Sequence, residues 1–190
     1  MRLVLVGPPG SGKGTQAELL VKRFKLATVG TGAMFRDAIA RGTDMGRAVG
    51  PLIKQGLLVP DPTVNDVVAE LFRGPNRPER FVMDGYPRTY AQAVSFDALL
   101  RQEFLALDAV VNLSIADDEV VKRMLARGRA DDMEATIRRR LGEFHKNTDD
   151  LVEHYRKQKL VDDIDATQPP DVIFEAICEA LKCRRPDEFK

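Results

Sequence analysis

Short β-branched runs along the chain alternate with longer segments in which apolar residues recur every three or four positions. The runs lie at residues 3–6, 81–83, 109–113 and 161–164, with a weaker candidate at 26–29, and have the length of strands. Strands that alternate with helical segments are typical of parallel βα units. The pattern therefore predicts an α/β fold with a five-stranded parallel sheet.

The pattern changes between residues 30 and 60, where short helical segments are interrupted at Gly42, Gly46, Gly50 and Gly56. Glycine at this frequency does not suit the centre of a core. A small helical insertion that moves as a unit about hinges is the interpretation we favour, and a loosely ordered surface excursion is the alternative. The total of 190 residues suits one domain with such an insertion.

Charge and cysteine content narrow the functional classes. Lys plus Arg and Asp plus Glu both number 29, so the balance offers no general attraction to nucleic acid or to an anionic membrane. The first apolar run ends in glycine and proline and is too short for a signal peptide or a membrane span, which predicts a cytoplasmic protein. Cys178 and Cys183 lack the paired spacing of a zinc site and are interpreted as ordinary helix residues, so no zinc is expected.

A glycine-rich loop follows the first predicted strand and leads into a helical segment. It reads Gly-Pro-Pro-Gly-Ser-Gly-Lys-Gly-Thr over residues 7–15. Backbone N–H groups of such a loop, with the N-terminus of the next helix, cradle phosphates, and Lys13 can reach the β and γ phosphates. A nucleoside triphosphate is therefore the expected ligand. Gly14 stands where a hydroxyl residue usually ligates Mg²⁺.

Asp84 closes the third predicted strand. The carboxyl ends of parallel strands face one cleft, so Thr31 and residues 84–88 should lie near the phosphates. Because Gly14 has no hydroxyl, Asp84 is predicted to hold Mg²⁺ through the metal's bound waters. The alternative is an aspartate that only caps the next turn.

A basic cluster follows the fourth predicted strand. Phosphoryl transfer between two polyanions requires several positive groups around the donor, the acceptor and the group in flight. Asp131 and Asp132 are predicted to hold the neighbouring arginines, whereas Arg138 and Arg139 are interpreted as a solvated helix face. The arginines expected to serve the phosphates are Arg123, Arg127 and Arg129.

Motifs at residues 7–15, 31–36, 56–61, 84–92 and 129–132 together resemble the adenylate kinases, in order and spacing, over nearly the whole chain. The resemblance implies reversible transfer, Mg-ATP plus AMP giving two ADP, by direct in-line attack. It also implies a three-layer α/β/α P-loop fold with strand order 2-3-1-4-5. Residues 1–190 would form a single kinase domain, with an AMP-binding flap at 30–59 and a short lid at 126–132.

The resemblance also implies roles for individual residues. The ATP phosphates would be held by Gly10, Ser11, Gly12, Lys13, Gly14 and Thr15, with Arg127 on the ATP side and the backbone near Gln168 at its adenine. AMP would be held by Thr31, Arg36, Leu57, Leu58, Val59, Gly85, Tyr86, Pro87, Arg88 and Gln92. The catalytic set would be Lys13, Asp84, Arg88, Arg123, Arg129 and Arg140, with Arg123 and Arg129 bracketing the phosphates and Arg129 and Arg140 also serving AMP. Gln92 would read the base, because an amide offers both a donor and an acceptor to adenine.

Two departures from the family pattern affect these expectations. Only Gly128 separates Arg127 from Arg129, where relatives insert a longer lid, which predicts weaker shielding of the γ phosphate from water. Ala33 stands where an acidic residue is usual, which changes hydrogen bonding in the AMP pocket.

Two alternatives remain open at this stage. One is a UMP/CMP kinase, against which Gln92 argues. The other is a P-loop nucleotide-binding regulator, which has no need for a second anion site built from Arg36, Arg88 and Arg140. The expected partners are ATP, AMP and ADP, with no nucleic acid or membrane, and the chain is expected to act as a monomer.

Overall fold

The sheet at the centre of the molecule has five parallel strands. A computed structural model of the chain describes residues 1–129 and 132–190. The strand order is β2-β3-β1-β4-β5, which is the expected order. Each predicted strand is confirmed with bounds that differ by one residue at most. The strands are β1 Arg2–Val6, β2 Ala27–Gly30, β3 Phe81–Asp84, β4 Ala109–Ser114 and β5 Val161–Asp165.

Helices connect these strands and cover both faces of the sheet. Between β1 and β3 they are α1 Lys13–Phe24, α2 Thr31–Ala40, α3 Asp44–Lys54 and α4 Asp61–Arg73. The later ones are α5 Tyr90–Gln102, α6 Asp117–Arg127, α7 Glu134–Lys157 and α8 Pro170–Arg184, with a 3-10 turn at Pro186–Phe189. Cys178 and Cys183 both lie in α8 and form no disulfide, so their interpretation as helix residues is confirmed.

Alternation along β1 divides the core into two layers. Leu3 and Leu5 point to the face covered by α1 and α8, whereas Val4 and Val6 point to the face that carries α4, α5 and α7. All four side chains are buried. A strand that is apolar on both faces suits the middle of a parallel sheet with helices on each side, and this is the three-layer arrangement.

Residues 30–59 contain α2 and α3, which lie against each other. Thr43 caps α3 by accepting a hydrogen bond from the backbone N–H of Gly46 at 3.0 Å. A Cβ on Gly46 would overlap the carbonyl group of Ala38, so only glycine permits this approach of the two helices. At Gly46, therefore, close helix packing is the reason for glycine.

Strand register sets where the site lies. Asp84 at the end of β3 pairs with Leu5 of β1 on one side and with Gly30 of β2 on the other. The loops after β1, β2 and β3 therefore leave the sheet side by side, at its carboxyl edge. In the part of the chain that the structure describes, no helix is long and apolar enough to cross a membrane.

Candidate active site

A cavity of about 820 Å³ opens at the carboxyl edge of the sheet. It lies between the glycine-rich loop, the α2–α3 segment and the middle of α7. Most of the sequence-predicted residues line it: Gly10, Gly12, Lys13, Gly14, Thr15, Thr31, Arg36, Leu57, Leu58, Val59, Asp84, Gly85, Pro87, Arg88, Gln92, Arg123, Arg127, Arg129 and Arg140. Ser11, Tyr86 and Gln168 are not among the lining residues.

Lys13 lies in the glycine-rich loop, at the first position of α1. Its Nζ donates hydrogen bonds to the carbonyl oxygens of Gly7 at 2.7 Å and Pro8 at 2.8 Å. The pKa of Lys13 is lowered to about 8, mainly by burial; Asp84 acts in the opposite direction, and the positive charges of Arg88 and Arg127 contribute to the lowering. The ammonium therefore lacks full charge compensation, and an anion beside it would be stabilised.

The loop is held from below by close packing. Gly10 has a φ of 81°, and a Cβ there would lie 2.7 Å from Cγ of Met124 in α6. Ser11, which belongs to the same loop, is fully buried, and its Oγ has no hydrogen-bond partner among the described residues. Ser11 therefore supports the loop or donates to a group that enters it, rather than facing the open cavity.

Asp84 presents its carboxylate to the loop. Its Oδ2 lies 3.8 Å from the position that a Cβ on Gly14 would occupy. In the ranges 1–129 and 132–190, no three His, Cys, Asp or Glu side chains group together as a metal cage. A single carboxylate beside a phosphate loop fits a magnesium ion that takes most of its ligands from phosphates and water.

The opposite end of the cavity gathers guanidinium groups. Arg88 donates from Nε to the Gly85 carbonyl oxygen at 2.7 Å, and Thr31 donates from Oγ1 to the same oxygen at 2.9 Å. Burial of the Arg88 guanidinium lowers its pKa, and the charges of Arg140 and Arg36 add to this, against the opposing effect of Asp84. Three arginines converging on one spot make a site for a second anion, separate from Lys13.

Gln92 is buried at the wall of the cavity, in the first turn of α5. Its Oε1 accepts from the backbone N–H of Arg88 at 2.7 Å, and its Nε2 donates to Oδ1 of Asp61 at 2.7 Å. The other oxygen of Asp61 accepts from Thr89 Oγ1 at 2.7 Å. The role of Asp61 was not predicted from the sequence, although the residue closes the 56–61 motif.

Tyr86 supports this wall from behind. Its hydroxyl donates to Oδ1 of Asn65 at 2.8 Å, and its ring packs edge-on against Phe96 with centroids 5.3 Å apart. The Tyr86–Pro87 peptide bond is cis. Tyr86 was predicted to touch the substrate, but its side chain is buried below the loop and so holds the backbone of residues 85–88 in place.

Asp132 anchors the arginines beyond α6. Its side chain is fully buried and accepts from Arg127 at 2.9 and 2.7 Å and from the backbone N–H of Arg129 at 3.1 Å. Arg140 approaches the same carboxylate at 3.8 Å. Burial alone raises the pKa of Asp132, but the hydrogen bonds from Arg127 and Arg129 hold it below the ordinary value. The predicted anchoring role of Asp132 is confirmed, while Asp131 lies outside the described residues.

Arg123 lines the cavity and also makes contacts that were not predicted from the sequence. Its guanidinium donates to the carbonyl oxygens of Ala166 at 2.9 Å and Thr167 at 3.1 Å. It therefore fastens α6 to the loop before α8, next to the exposed Gln168, whereas Arg127 lies close enough to Lys13 to lower the lysine pKa. Both Arg123 and Arg127 line the cavity that the glycine-rich loop bounds.

Comparison with known proteins agrees with this geometry. A family model described as adenylate kinase matches residues 5–160. The chain belongs to the adenylate kinase family. It is thus a phosphotransferase of the type that interconverts adenine nucleotides, ATP plus AMP giving two ADP, and the expectations for fold class and enzyme class are confirmed.

Relatives named adenylate kinase match along almost their whole length. That of Corynebacterium urealyticum is 41% identical, over 95% of this chain and 99% of its own. That of Thermobifida fusca is 38% identical over 97% and 100%, and that of Archaeoglobus fulgidus 33% identical over 96% and 100%. The similarity therefore spans the adenylate kinase fold from end to end and is not confined to the phosphate loop.

One contact in this member of the adenylate kinase family was not predicted from sequence. Arg139 donates from Nη1 to the Gln55 carbonyl oxygen at 3.0 Å, and a Cβ on Gly56 would lie 3.2 Å from Thr136 Cγ2 and 3.4 Å from Arg140 Cγ. Arg139 is exposed, as the interpretation of a solvated helix face predicts, and its bond to Gln55 also joins the end of the α2–α3 segment to α7. Arg138 forms an exposed ion pair with Glu134 and is itself exposed, as expected.

Proposed function

We propose that the cavity binds Mg-ATP at the Lys13 end and AMP at the end formed by Thr31, Arg88 and Gln92, and that the γ phosphoryl group passes between them. The observation that carries this assignment is that Arg36, Arg88 and Arg140 line the same cavity as Lys13 and lie close enough together for the charges of Arg140 and Arg36 to lower the pKa of Arg88. A hydrolase needs one anion site, but a kinase for nucleoside monophosphates needs two that face each other.

Each group then has a physical task. Lys13 and the backbone N–H groups of residues 10–15 hold the β and γ phosphates of ATP. Arg88 and Arg36 hold the AMP phosphate, so that its oxygen points at the γ phosphorus, and this orientation removes most of the entropic barrier. Arg127 and Arg140, both held by Asp132, lie where negative charge spreads over the transferred group.

Magnesium, when bound with ATP, neutralises phosphate charge, and Asp84 is the residue that would hold it through water. No general base is required, because the attacking phosphate oxygen of AMP is already ionised at neutral pH.

The nucleoside of AMP is held by backbone and apolar contacts from Leu57, Leu58 and Val59. The ATP side is completed by Arg129 and by Arg123, and Arg123 acts by fixing the loop near Gln168.

Two segments would close over the substrates. Residues 30–59 would act as the AMP flap and residues 126–132 as a minimal lid, which together exclude water that would otherwise consume ATP. Closure of this kind around bound ligands is a known property of adenylate kinases.

We also infer a monomeric, cytoplasmic enzyme without nucleic acid or membrane partners. The supporting observations are that one chain supplies both anion sites and that its formal charges balance.

The alternative acceptors UMP and CMP are distinguished by product analysis. The protein is incubated with Mg-ATP and, separately, AMP, UMP, CMP or GMP, and the diphosphates are resolved by chromatography. We expect transfer to AMP to exceed the other three, with one ATP lost for every AMP. A preference for UMP or CMP would assign the chain to pyrimidine nucleotides, and ATP loss with no acceptor phosphorylated would contradict the kinase proposal.

Two variants control for transfer by a contaminating kinase in this assay. Lys13→Ala removes the phosphate-loop ammonium and should abolish transfer. Lys22→Ala removes an equal charge from the exposed face of the same helix and should leave transfer unchanged. Activity that survives Lys13→Ala would show that the measured transfer does not occur in the proposed site.

A further inference from the structure

The orientation of the Gln92 amide is fixed by chemistry. The backbone N–H of Arg88 can only donate a hydrogen bond, so the atom 2.7 Å from it must be the oxygen of the amide. The Asp61 carboxylate can only accept, so the atom 2.7 Å from Oδ1 must be the nitrogen. A rotation of the amide by half a turn would set N–H against N–H and oxygen against carboxylate.

The locked amide retains a defined capacity to bind a base. Each of its polar atoms can make two hydrogen bonds, and the protein uses one at each. One acceptor site on Oε1 and one donor on Nε2 remain, and Gln92 lines the cavity. A complementary ligand offers a donor beside an acceptor with the donor placed at the oxygen.

Nucleobases divide into two classes by this criterion. Adenine and cytosine present an exocyclic amino donor next to a ring-nitrogen acceptor. Guanine and uracil present the reverse, a carbonyl acceptor next to a ring N–H donor. A freely rotating glutamine would serve both classes by flipping, so the glutamine alone does not select adenine over guanine.

We propose that Asp61 is a specificity-determining positioning residue, which together with the Arg88 backbone N–H holds the Gln92 amide in the orientation that accepts 6-amino purines and 4-amino pyrimidines and rejects their oxo counterparts. The inference rests on the proposed function, because it assumes that the base of the acceptor nucleotide meets Gln92. Asp61 does not touch the base. It acts by making the wrong amide orientation costly, and a site with buried polar groups left unpaired discriminates strongly.

The position of Asp61 suits this role. It is the first residue of α4, and its second oxygen accepts from Thr89, the residue that caps α5 and so fixes the start of the helix carrying Gln92. The carboxylate is thus held from both sides and cannot turn away from the amide. Base choice depends in this way on a residue 31 positions before the glutamine in the chain.

The test replaces Asp61 by a side chain that can either donate or accept. Asp61→Asn keeps the size of the side chain and removes the part of the penalty for the flipped amide that comes from the carboxylate, while the part that comes from the Arg88 N–H remains. We measure kcat/KM with AMP, CMP, GMP and UMP, which separates amino bases from oxo bases within purines and within pyrimidines. The expected result is that the AMP-to-GMP and CMP-to-UMP ratios both fall by about tenfold or more, with an absolute rise for GMP and UMP.

Asp66→Asn is the matched control, since it removes the same charge from the exposed face of the same helix. It should leave all four values unchanged. Damage to the fold in Asp61→Asn would lower kcat/KM for all four nucleotides by the same factor. Unchanged AMP-to-GMP and CMP-to-UMP ratios in a folded Asp61→Asn protein would overturn the proposal.

A measurement on the wild-type protein needs no variant and no substrate. Nitrogen-15 NMR of the side-chain amides should show Gln92 exchanging with water at least about tenfold more slowly than the exposed Gln55, because its nitrogen is buried and bonded. Equal exchange rates would overturn the lock. If the lock is present but no nucleoside monophosphate is phosphorylated, the proposed function fails and the amide geometry stands.

Discussion

Replacing Asp132 by asparagine is the most direct test of how the arginines over the cavity are held. The substitution keeps the size of the side chain but removes its charge and one of its two acceptor oxygens. In the wild-type protein the carboxylate is fully buried and accepts two hydrogen bonds from Arg127 and one from the backbone of Arg129. In the variant an amide N–H would face a guanidinium that also only donates.

The magnitude follows from these contacts. A hydrogen bond to a charged group contributes about 1.5–3 kcal/mol to stability. Arg127 is about one-third exposed, which screens part of the interaction, and the asparagine oxygen keeps one acceptor. We therefore expect the free energy of unfolding to fall by about 2–3 kcal/mol, which lowers Tm by roughly 4–12 °C in a chain of this size.

Thermal unfolding followed by circular dichroism measures the stability loss, and steady-state kinetics with AMP measures the effect on transfer. We expect kcat to fall about tenfold or more, because Arg127 and Arg140 lose their shared anchor. Glu134→Gln breaks the exposed ion pair with Arg138 and serves as control, with an expected change below about 1 kcal/mol. Equal Tm values for Asp132→Asn and wild type would refute the anchoring argument.

The difference in stability between wild type and Asp132→Asn should depend on pH. The pKa of Asp132 is held below its ordinary value of 3.8 by its arginine partners, against the opposing effect of burial. Its contribution to stability is therefore complete above the unfolded pKa and is lost as pH falls through the lower folded pKa. The Tm difference between wild type and Asp132→Asn should be constant near neutrality and shrink below about pH 4. A difference that grows on acidification would contradict the assignment.

Three further predictions concern the two anion sites and the lid. Arg88→Ala should lower kcat/KM for AMP by about 10²–10³-fold while Tm stays near the wild-type value, since among the described residues the guanidinium bonds only the Gly85 carbonyl; unchanged kinetics would refute the AMP assignment. The pKa of Lys13 lies near 8, so the affinity for a non-hydrolysable ATP analogue should fall as pH rises through that value, and calorimetry in buffers of different ionisation enthalpy should detect proton uptake on binding; neither effect should survive in Lys13→Met. With only Gly128 between Arg127 and Arg129, ATP hydrolysis without AMP should exceed that of a relative with a longer lid, and equal rates would contradict the prediction of weaker shielding.

The local sequence pattern was sufficient to predict the fold and many of the residues that line the cavity. The strand bounds could be predicted to within one residue, because the β-branched runs and the residues that end them are local features of the sequence. Lys13, Thr31 and Asp84 could be placed at one edge for the same reason, since parallel strands deliver their carboxyl ends to one side of the sheet. These inferences require only neighbours in the chain and the geometry of parallel strands.

Only the tertiary structure decided which hydrogen-bond partner each polar side chain has. The bond from Gln92 to Asp61 spans 31 positions, that from Arg139 to Gln55 spans 84, and Arg123 reaches carbonyls more than 40 residues away. An arginine on a helix face has the same local pattern whether it meets water, a phosphate or a backbone carbonyl. Which of these it meets depends on how helices pack across the sheet, and on which polar groups that packing buries and must satisfy.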